Sequence, residues 1–353
     1  MNRIAIIGAG AAGLTAAWHL RTSSAEVKLF EKSRGYTGRA ATRSHGAVRY
    51  DFGANYLAGV SGRVRTLITE TLPTDRLATI ERPVWTFNGA GVISPPDEGA
   101  GPRWTYDGGV NTLGKLMVQE GALGVVRTTR IRHLEAVAGG WQLHSTEGEV
   151  HGPFDAVLCT APAPQAATIM QRSQATGDAK RDLQACAKAL NEAAYAPQFA
   201  YVLGCEAPID RPEAFYGLRS ASGDHPVAWI SFEEDKPGRV PAGQSVLVVQ
   251  MSASWTAPRV DTDPAVHIEA VQEQVAGVLG TALPPIGWTD AHRWRYAFPT
   301  TPPDAALLDD TAASGLYFAG DYRIGAGRVG RAMESGWAQA ERIEARHIAP
   351  VAS

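Results

Sequence analysis

The amino-acid sequence predicts an α/β protein in which a doubly wound, Rossmann-type domain is interrupted by an inserted α+β domain. Residues 3–30 have the pattern of a strand, a glycine turn, a helix and a second strand. Residues 315–347 have the pattern of a short apolar strand followed by a long helix. Between these ends, helical stretches alternate with short apolar runs, and no internal repeat indicates a solenoid.

The composition is that of an ordinary globular protein. The chain has 353 residues, of which 44% are hydrophobic and 20% charged, with a formal net charge of -3. These values exclude a disordered chain and argue against a nucleic-acid partner. No apolar run reaches membrane-spanning length, so we expect no membrane partner. The three cysteines form no Cys-x-x-Cys pair, which favours a reducing cytoplasm and predicts no bound metal.

A glycine-rich turn follows the first strand and opens the first helix. Gly8-Ala-Gly10-Ala-Ala-Gly13 has the spacing G-x-G-x-x-G of a dinucleotide-binding fingerprint. Such glycines permit a tight turn, close approach to a pyrophosphate and close packing of helix on strand. Glu31 ends the second strand, where a carboxylate can accept the ribose hydroxyls of an adenosine and repels a 2′-phosphate. A signal peptide is the alternative, but glycines interrupt its apolar stretch.

The next segment favours FAD over NAD as the dinucleotide. A second glycine turn at Gly35 to Gly38 lies among Arg34, Arg39 and Arg43. Arginines beside such a turn can hold the same diphosphate from its other side, and a nicotinamide-dependent dehydrogenase needs no second turn here. The alternative is a solvated basic loop.

With these motifs and the following Asp51-Phe-Gly53-Ala54-Asn55-Tyr56, the chain resembles the glutathione-reductase-type flavoproteins of the amine oxidase group. Within that group it is most similar to the renalase-like FAD-dependent oxidoreductases. The resemblance implies an FAD held noncovalently, because no cysteine lies in a segment like the covalent attachment site of monoamine oxidases. Thr37 stands where the family usually has a glycine.

A second motif lies near the C-terminus. Ala319-Gly320-Asp321 ends an apolar strand and precedes a long helix from Val329. An aspartate beside glycines can form a hydrogen bond with a ribityl hydroxyl or a phosphate oxygen. The helix N-terminus can face the flavin edge that gains negative charge on reduction. The family that the chain resembles uses an aspartate and a helix at this place in the same way. Arg331 departs from the family pattern and either lies near the flavin or points to solvent.

The motifs and the resemblance together predict the residues that bind FAD. Arg39 is implied to face the pyrophosphate, and Val125 or Val126 to contact the adenine. The predicted cofactor-binding residues are Gly8, Gly10, Ala12, Gly13, Glu31, Lys32, Gly38, Arg39, Thr42, Asn55, Tyr56, Val125, Val126, Thr160, Gly320, Asp321, Arg328, Val329 and Gly330. The predicted division is an FAD-binding domain of residues 1–80, 104–165 and 288–353 and a substrate domain of residues 81–103 and 166–287.

No pattern of a nucleophile with its base is visible, since the sequence has no G-x-S-x-G and no H-E-x-x-H. Flavin chemistry needs few acid–base groups because the cofactor accepts the hydride. We therefore expect aromatic side chains to orient the donor, and the predicted catalytic residues are Trp294, Tyr296 and Tyr322. Trp229, Phe232 and Trp255 either face the flavin as well or are ordinary core aromatics.

Three functions remain open at this point. A renalase-like oxidase would take a hydride from isomeric dihydro-NAD(P), a small-molecule substrate, and pass the electrons to O2. An amine oxidase or a desaturase of the same fold would need an acidic amine funnel or a hydrophobic tunnel. A flavin-binding protein without turnover is the third, which the departures at Thr37 and Arg331 keep open. We expect the first.

Element boundaries are also predicted from the pattern. Apolar runs predict strands over residues 227–232 and 245–251. Ser61 is expected to cap a helix that continues to Leu72. An amphipathic helix is expected over residues 263–279.

Overall fold

The structure is a computed structural model that describes residues 2–60, 62–95, 101–211, 215–325 and 327–348. Ser61, the predicted helix cap, lies outside these residues. In the described part of the chain no helix combines the length and the apolar character that crossing a bilayer demands.

The strands of the described residues are short, with two long exceptions in the second half of the chain. In chain order they are β1 (Arg3–Ile7), β2 (Glu26–Phe30), β3 (Thr42–His45), β4 (Val48–Asp51), β5 (Leu77–Thr79), β6 (Val84–Phe87), β7 (Ile93–Ser94), β8 (Trp104–Tyr106), β9 (Val125–Val126), β10 (Ile131–Val137), β11 (Gly140–Ser145), β12 (Val150–Phe154), β13 (Ala156–Cys159), β14 (Ala194–Cys205), β15 (Gly217–Ser220), β16 (Val227–Phe232), β17 (Ser245–Met251), β18 (Ile286–Thr301) and β19 (Leu316–Phe318).

The helices of the described residues are α1 (Ala11–Leu20), α2 (Gly62–Thr66), α3 (Thr112–Glu120), α4 (Ala163–Arg172), α5 (Gly177–Glu192), α6 (Ala253–Thr256), α7 (Ile268–Leu279), α8 (Ala305–Asp310) and α9 (Val329–His347). A π-helical turn over Leu67–Thr71 continues α2, so the helix expected up to Leu72 changes its hydrogen-bonding pattern halfway. A 3₁₀ turn over Pro264–His267 precedes α7, and Asp263 caps that turn.

A five-stranded parallel sheet joins the two ends of the chain. Its strand order is β19-β13-β1-β2-β9. Ile4 and Ile6 pack with α1, α3 and α9 on one face, whereas Ala5 and Ile7 pack with α4 and α5 on the other. Because both faces are buried, strand β1 is apolar at consecutive positions rather than at alternate ones. The predicted α/β fold with a Rossmann-type sheet is confirmed.

A seven-stranded mixed sheet, β18-β14-β17-β16-β15-β6-β7, is the second large unit. One of its faces packs on α7, and the opposite face packs on the β3–β4 hairpin through Val48, Tyr50 and Phe52. The predicted boundary at residue 288 falls inside β18, which belongs to this sheet. Helices α4 and α5 pack on the parallel sheet, although most of their residues fall in the predicted substrate domain. The division into two domains stays a prediction.

Candidate active site

The glycine turn between β1 and α1 leaves open space beside its backbone. Gly8 has a left-handed φ of 107°, and a Cβ there would lie 2.7 Å from the Thr160 Oγ1 atom. A Cβ on Gly13 would overlap the Gly8 carbonyl oxygen, whereas a Cβ on Gly10 would meet no atom within 4 Å. The turn is therefore closed by protein on one side and open on the other. There the free N–H groups of the first turn of α1 can receive a diphosphate.

Two of the predicted cofactor residues support this turn from inside the protein. The Thr160 hydroxyl donates to the carbonyl oxygens of Ile7 and Gly8, each at 3.0 Å. The Ala12 carbonyl lies against Gly336 of α9, where any Cβ would overlap it. These contacts position the turn, and α1 and α9 cross closely as a result.

Glu31 anchors the end of β2 beside the same turn. Its Oε2 accepts from the Ala9 N–H and its Oε1 from the Ser33 N–H, both at 2.8 Å. Each oxygen keeps a lone pair that can accept a ribose hydroxyl. Strand β9 runs alongside, with the Val126 carbonyl accepting from the Glu31 N–H at 2.8 Å. Lys32 is exposed, and its Nζ donates to a glutamine on α4 at 3.3 Å.

The second glycine turn lies directly on the first. The Thr37 N–H donates to the Ala9 carbonyl at 2.8 Å, and a Cβ on Gly38 would lie 3.4 Å from the Gly10 Cα. Thr37 is buried and has a left-handed φ of 70°. This is the conformation that glycine adopts without strain, so Thr37 occupies a glycine-type position at an energetic cost.

Arg39 and Asp321 bring the N-terminal and C-terminal motifs together. Arg39 donates to Asp321 Oδ1 at 2.7 Å and to the Ala297 carbonyl at 2.9 Å. Gly320, just before the aspartate, has a φ of 156°, and its N–H donates to the Ser335 hydroxyl of α9 at 3.0 Å. The predicted pyrophosphate and ribityl contacts therefore lie side by side.

The N-terminus of α9 lies at the far end of the predicted flavin site. Val329 begins the helix, and a Cβ on Gly330 would touch the Val60 side chain. Arg328 precedes the helix with an exposed side chain. Arg331 is also exposed, so of the two orientations left open the structure has the one toward solvent.

Residues 53–60 connect these two ends of the site. The Ala54 N–H donates to the Arg39 carbonyl at 2.9 Å, while Val60 touches the start of α9. The seven-stranded sheet fixes this segment from the other side. Gln250 of β17 donates to the Gly53 carbonyl at 2.6 Å, and Ser231 of β16 donates to Asn55 Oδ1 at 3.1 Å. We call residues 53–60 the bridging segment.

Immediately before the bridging segment, Asp51 belongs to a fully buried ionic network. Lys236 Nζ lies 3.0 Å from Asp51 Oδ2 and 2.6 Å from Glu233 Oε1. Arg239 donates to Asp51 Oδ2 at 2.7 Å, and Thr42 donates to Asp51 Oδ1 at 2.6 Å. The side chains of both acids and both bases have 0% exposure, so two negative and two positive charges compensate one another inside the protein.

The network shifts the pKa values of its acids in opposite directions. Burial by itself raises the pKa of Asp51, but Lys236 and Arg239 outweigh it and lower that pKa to about 2. Burial raises the pKa of Glu233, and Lys236 opposes the rise only in part. Asp51 is therefore the firmly ionised member of the network.

Three aromatic rings lie beside the bridging segment. The Tyr56 ring centroid lies 6.1 Å from that of Tyr216 and 5.9 Å from that of Trp229, which are 6.1 Å apart. Cations already face two of these rings: Arg103 lies 5.9 Å from the Tyr56 centroid and Lys236 lies 5.6 Å from the Tyr216 centroid. We call Tyr56, Tyr216 and Trp229 the aromatic cluster.

Two of the predicted catalytic residues border the Arg39 end of the site. Trp294 stacks on Phe52 with centroids 5.3 Å apart and donates its indole N–H to the Phe52 carbonyl at 2.9 Å. The Tyr296 ring meets Tyr195 edge to face at 5.5 Å, and its carbonyl accepts from Arg39 at 3.3 Å. Both residues are placed to position the backbone of the predicted cofactor site.

The other aromatic candidates lie mostly in the cores. Tyr322 is 1% exposed and packs in the core formed with α4 and α5, which favours a structural role. Phe232 and Trp255 pack on the α7 face of the seven-stranded sheet, opposite to the bridging segment. Of the two roles that the sequence allowed, Phe232 and Trp255 therefore have that of ordinary core aromatics. Trp229 instead faces the bridging segment.

Sequence reasoning missed several residues at this site. Glu233 and Lys236 lie in a run of charges that normally indicates a solvated turn, and no sequence signal shows that the run is buried. Gln250 and Tyr216 carry no motif. Arg103 precedes Trp104, whose backbone pairs with Leu57 of the bridging segment, a contact that only the fold reveals. No group of three or more potential metal ligands comes together among the described residues.

Comparison with known proteins agrees with this arrangement. Residues 6–71 match the NAD(P)-binding Rossmann-like domain, and residues 88–344 match the flavin-containing amine oxidoreductase family. The fold is similar to that of a protein assigned as a protoporphyrinogen oxidase from Exiguobacterium sp. 255-15, with a TM-score of 0.79, 13% identity, and 98% of this chain and 99% of the other covered.

Two further solved structures share the fold. A reduced UDP-galactopyranose mutase has a TM-score of 0.78 at 13% identity, with 98% of this chain and 96% of the other covered. A double mutant of putrescine oxidase has a TM-score of 0.75 at 13% identity, with 98% and 100% covered. The open glycine turn, Glu31 and the Arg39–Asp321 pair fit the diphosphate, ribose and ribityl groups of FAD, which is the noncovalent cofactor. The chain belongs to the flavin-containing amine oxidoreductase family and is an FAD-dependent oxidoreductase.

Proposed function

We propose that this flavoenzyme is a renalase-like oxidase of dihydronicotinamide dinucleotides that are reduced at the wrong ring carbon. The donor ring loses a hydride and becomes an aromatic pyridinium. Dioxygen takes up the two electrons together with that hydrogen and one proton from solvent, which gives H2O2. FAD supplies the hydride acceptor and the route for the electrons to dioxygen.

The observation that carries the proposal is the charge pattern around the aromatic cluster. An amine substrate is largely an ammonium ion at neutral pH and is best received by an unpaired carboxylate. Asp51 and Glu233 are both fully buried and already paired with Lys236 and Arg239. Arg103 also faces the Tyr56 ring, which disfavours a further cation there, whereas the charge of Lys236 is compensated by the two acids. This environment favours a neutral ring with an acidic or neutral extension over an amine.

The tasks of the chain's own side chains follow from their contacts. Gln250 and Trp294 hold the backbone at Gly53 and Phe52, so the bridging segment stays in place beside Arg39. Tyr56 and Trp229 provide apolar faces against which a planar ring can stack. No proton has to be removed from the donor by a side chain, because the hydride leaves with its electrons.

Anaerobic titration of the purified yellow protein tests this function. The dihydronicotinamide isomers are expected to bleach the flavin absorbance within seconds, whereas primary amines leave it unchanged. Readmitting air should restore the absorbance and produce one H2O2 for each donor oxidised. Rapid bleaching by a primary amine, with none by the isomers, would contradict the proposal and indicate an amine oxidase.

A further inference from the structure

We infer that Trp229 and Arg103 form the recognition site for the donor: the Trp229 indole N–H binds the carboxamide oxygen of the ring, and the Arg103 guanidinium binds the phosphate extension. This inference rests on the proposed function and names the residues that select its substrate class.

The location of the aromatic cluster is the first step. The bridging segment touches Arg39 at Ala54 and the start of α9 at Val60. Residues at both of those places are predicted to contact FAD. Tyr56 lies between them, and its ring packs against Trp229. A donor ring that meets the flavin along this segment therefore meets the aromatic cluster as well.

The second step is the unused hydrogen-bonding capacity of Trp229. Its indole nitrogen is buried and has no hydrogen-bond partner among the described residues. An indole N–H can only donate, so what completes it must carry an acceptor. A carboxamide oxygen satisfies it, whereas an ammonium ion does not. Leaving such a donor buried without a partner is costly, which gives the site a preference for substrates that bring one.

Access to Trp229 involves Tyr56. The indole nitrogen is shielded from solvent, while Tyr56 is the most exposed ring of the aromatic cluster. The donor ring therefore displaces Tyr56 sideways when it enters and takes over its contact with Trp229. Tyr56 is only partly exposed and packs on Tyr216 and Trp229, so this movement breaks ring contacts that the entering donor ring replaces.

The third step is the place of Arg103. Its guanidinium lies 5.9 Å from the centroid of the Tyr56 ring, and the residue is partly exposed. The backbone next to it is fixed to the bridging segment by paired hydrogen bonds between Leu57 and Trp104, at 2.8 and 2.9 Å. Guanidinium groups bind phosphate through two parallel N–H donors. Arg103 is thus held beside the aromatic cluster and remains accessible to an anionic extension.

The experiment compares two donors and two substitutions. One donor is an isomeric dihydro-NAD. The other is the same dihydronicotinamide isomer with only a methyl group on its ring nitrogen, which keeps the carboxamide and has no phosphate. We expect Arg103→Gln to raise KM for the dinucleotide about tenfold more than for the methylated donor, because a charge-assisted bond is lost. Arg103→Lys should restore part of the loss.

Trp229→Phe gives the complementary result. It keeps the aromatic ring and removes the N–H, so kcat/KM should fall about tenfold for both donors. Trp229→His, which retains an N–H donor, should recover part of this activity. The matched control is Arg181→Gln on α5, which removes the same charge from an exposed side chain far from the site. It should leave both KM values as in the wild type.

The outcomes separate the inference from the proposed function. Equal KM changes for both donors in Arg103→Gln, or unchanged kcat/KM in Trp229→Phe, overturn the inference while the oxidase activity stands. If neither donor bleaches the wild-type flavin, the proposed function fails, and the inference fails with it. Arg103 is partly exposed, so its substitution tests the site even if Trp229→Phe does not fold.

Discussion

Arg39 and Asp321 are 282 residues apart in the sequence, yet Arg39 donates to Asp321 Oδ1 at 2.7 Å. The aspartate is 4% exposed and the arginine 31% exposed, so the pair is buried on one side and open on the other. One residue follows the second glycine turn, and the other follows the last strand of the parallel sheet. The pair thus holds the two halves of the predicted FAD site in one fixed arrangement.

Replacing Asp321 with Asn should weaken FAD retention by about tenfold, because Arg39 loses its charged partner and the cofactor loses a carboxylate acceptor. The dissociation constant can be measured from the recovery of FAD fluorescence on dilution. Asp261→Asn is the matched control, since Asp261 is also paired with an arginine but is 81% exposed on the surface. Equal FAD retention in the two variants would contradict the role given to Asp321.

Thr37 has a φ of 70° at a buried position, where a side chain is strained and a glycine is not. Thr37→Gly and Thr37→Ala both remove the Oγ1 and Cγ2 atoms, but alanine keeps the Cβ and with it the strain. We expect Thr37→Gly to be about 1 kcal/mol more stable than Thr37→Ala in urea unfolding. If the alanine variant were equally stable, the left-handed conformation would carry no cost here.

Several helices and strands could be predicted from the sequence because their patterns are local. Three elements, strands β16 and β17 and helix α9, have the predicted bounds. Each is an apolar or amphipathic run with turn residues at its ends. Strand β18 was not predicted. Its residues alternate only weakly between buried and exposed. It also contains the polar residues His292, Arg293 and Arg295 between its aromatic ones, so its pattern is not that of a core strand.

The candidate site could be predicted from the sequence only where a motif marks it. Gly8, Glu31 and Asp321 lie in spacings that the chemistry of a dinucleotide requires. The contact between Asp51 and Lys236 spans 185 residues, and nothing in either segment indicates the other. Such contacts depend on how the β3–β4 hairpin packs on the seven-stranded sheet, which local sequence patterns do not specify.

The buried ionic network makes a prediction about stability. Lys236→Met leaves Asp51 and Glu233 with one cation fewer in an environment without solvent. We expect a loss of about 3–5 kcal/mol in the free energy of unfolding, measured with urea. Adding Glu233→Gln to this variant balances the charges again and should recover part of the loss. If the double variant is no more stable than Lys236→Met, charge compensation is not what holds the network together.

His292 gives the stability of the protein a defined dependence on pH. Its ring lies 5.0 Å from that of Phe52 and 4.3 Å from that of Trp294, and Arg43 lies 3.3 Å from its Nδ1. Burial, and then Arg43, lower the pKa of His292 to about 4, and Asp290 opposes this only weakly. Unfolded histidine has a pKa of about 6.5, so between these values the unfolded chain binds more protons than the folded one.

The free energy of unfolding should therefore fall as the pH is lowered from about 6.5 to about 4. His292→Phe keeps an aromatic ring against Phe52 and Trp294 and has no proton to bind. Urea unfolding at pH 7 and pH 4.5 should show a smaller drop for this variant than for the wild type. If the two drops are the same, His292 either is not desolvated by these rings or becomes protonated with little cost, and the packing around Trp294 is looser than the ring distances indicate.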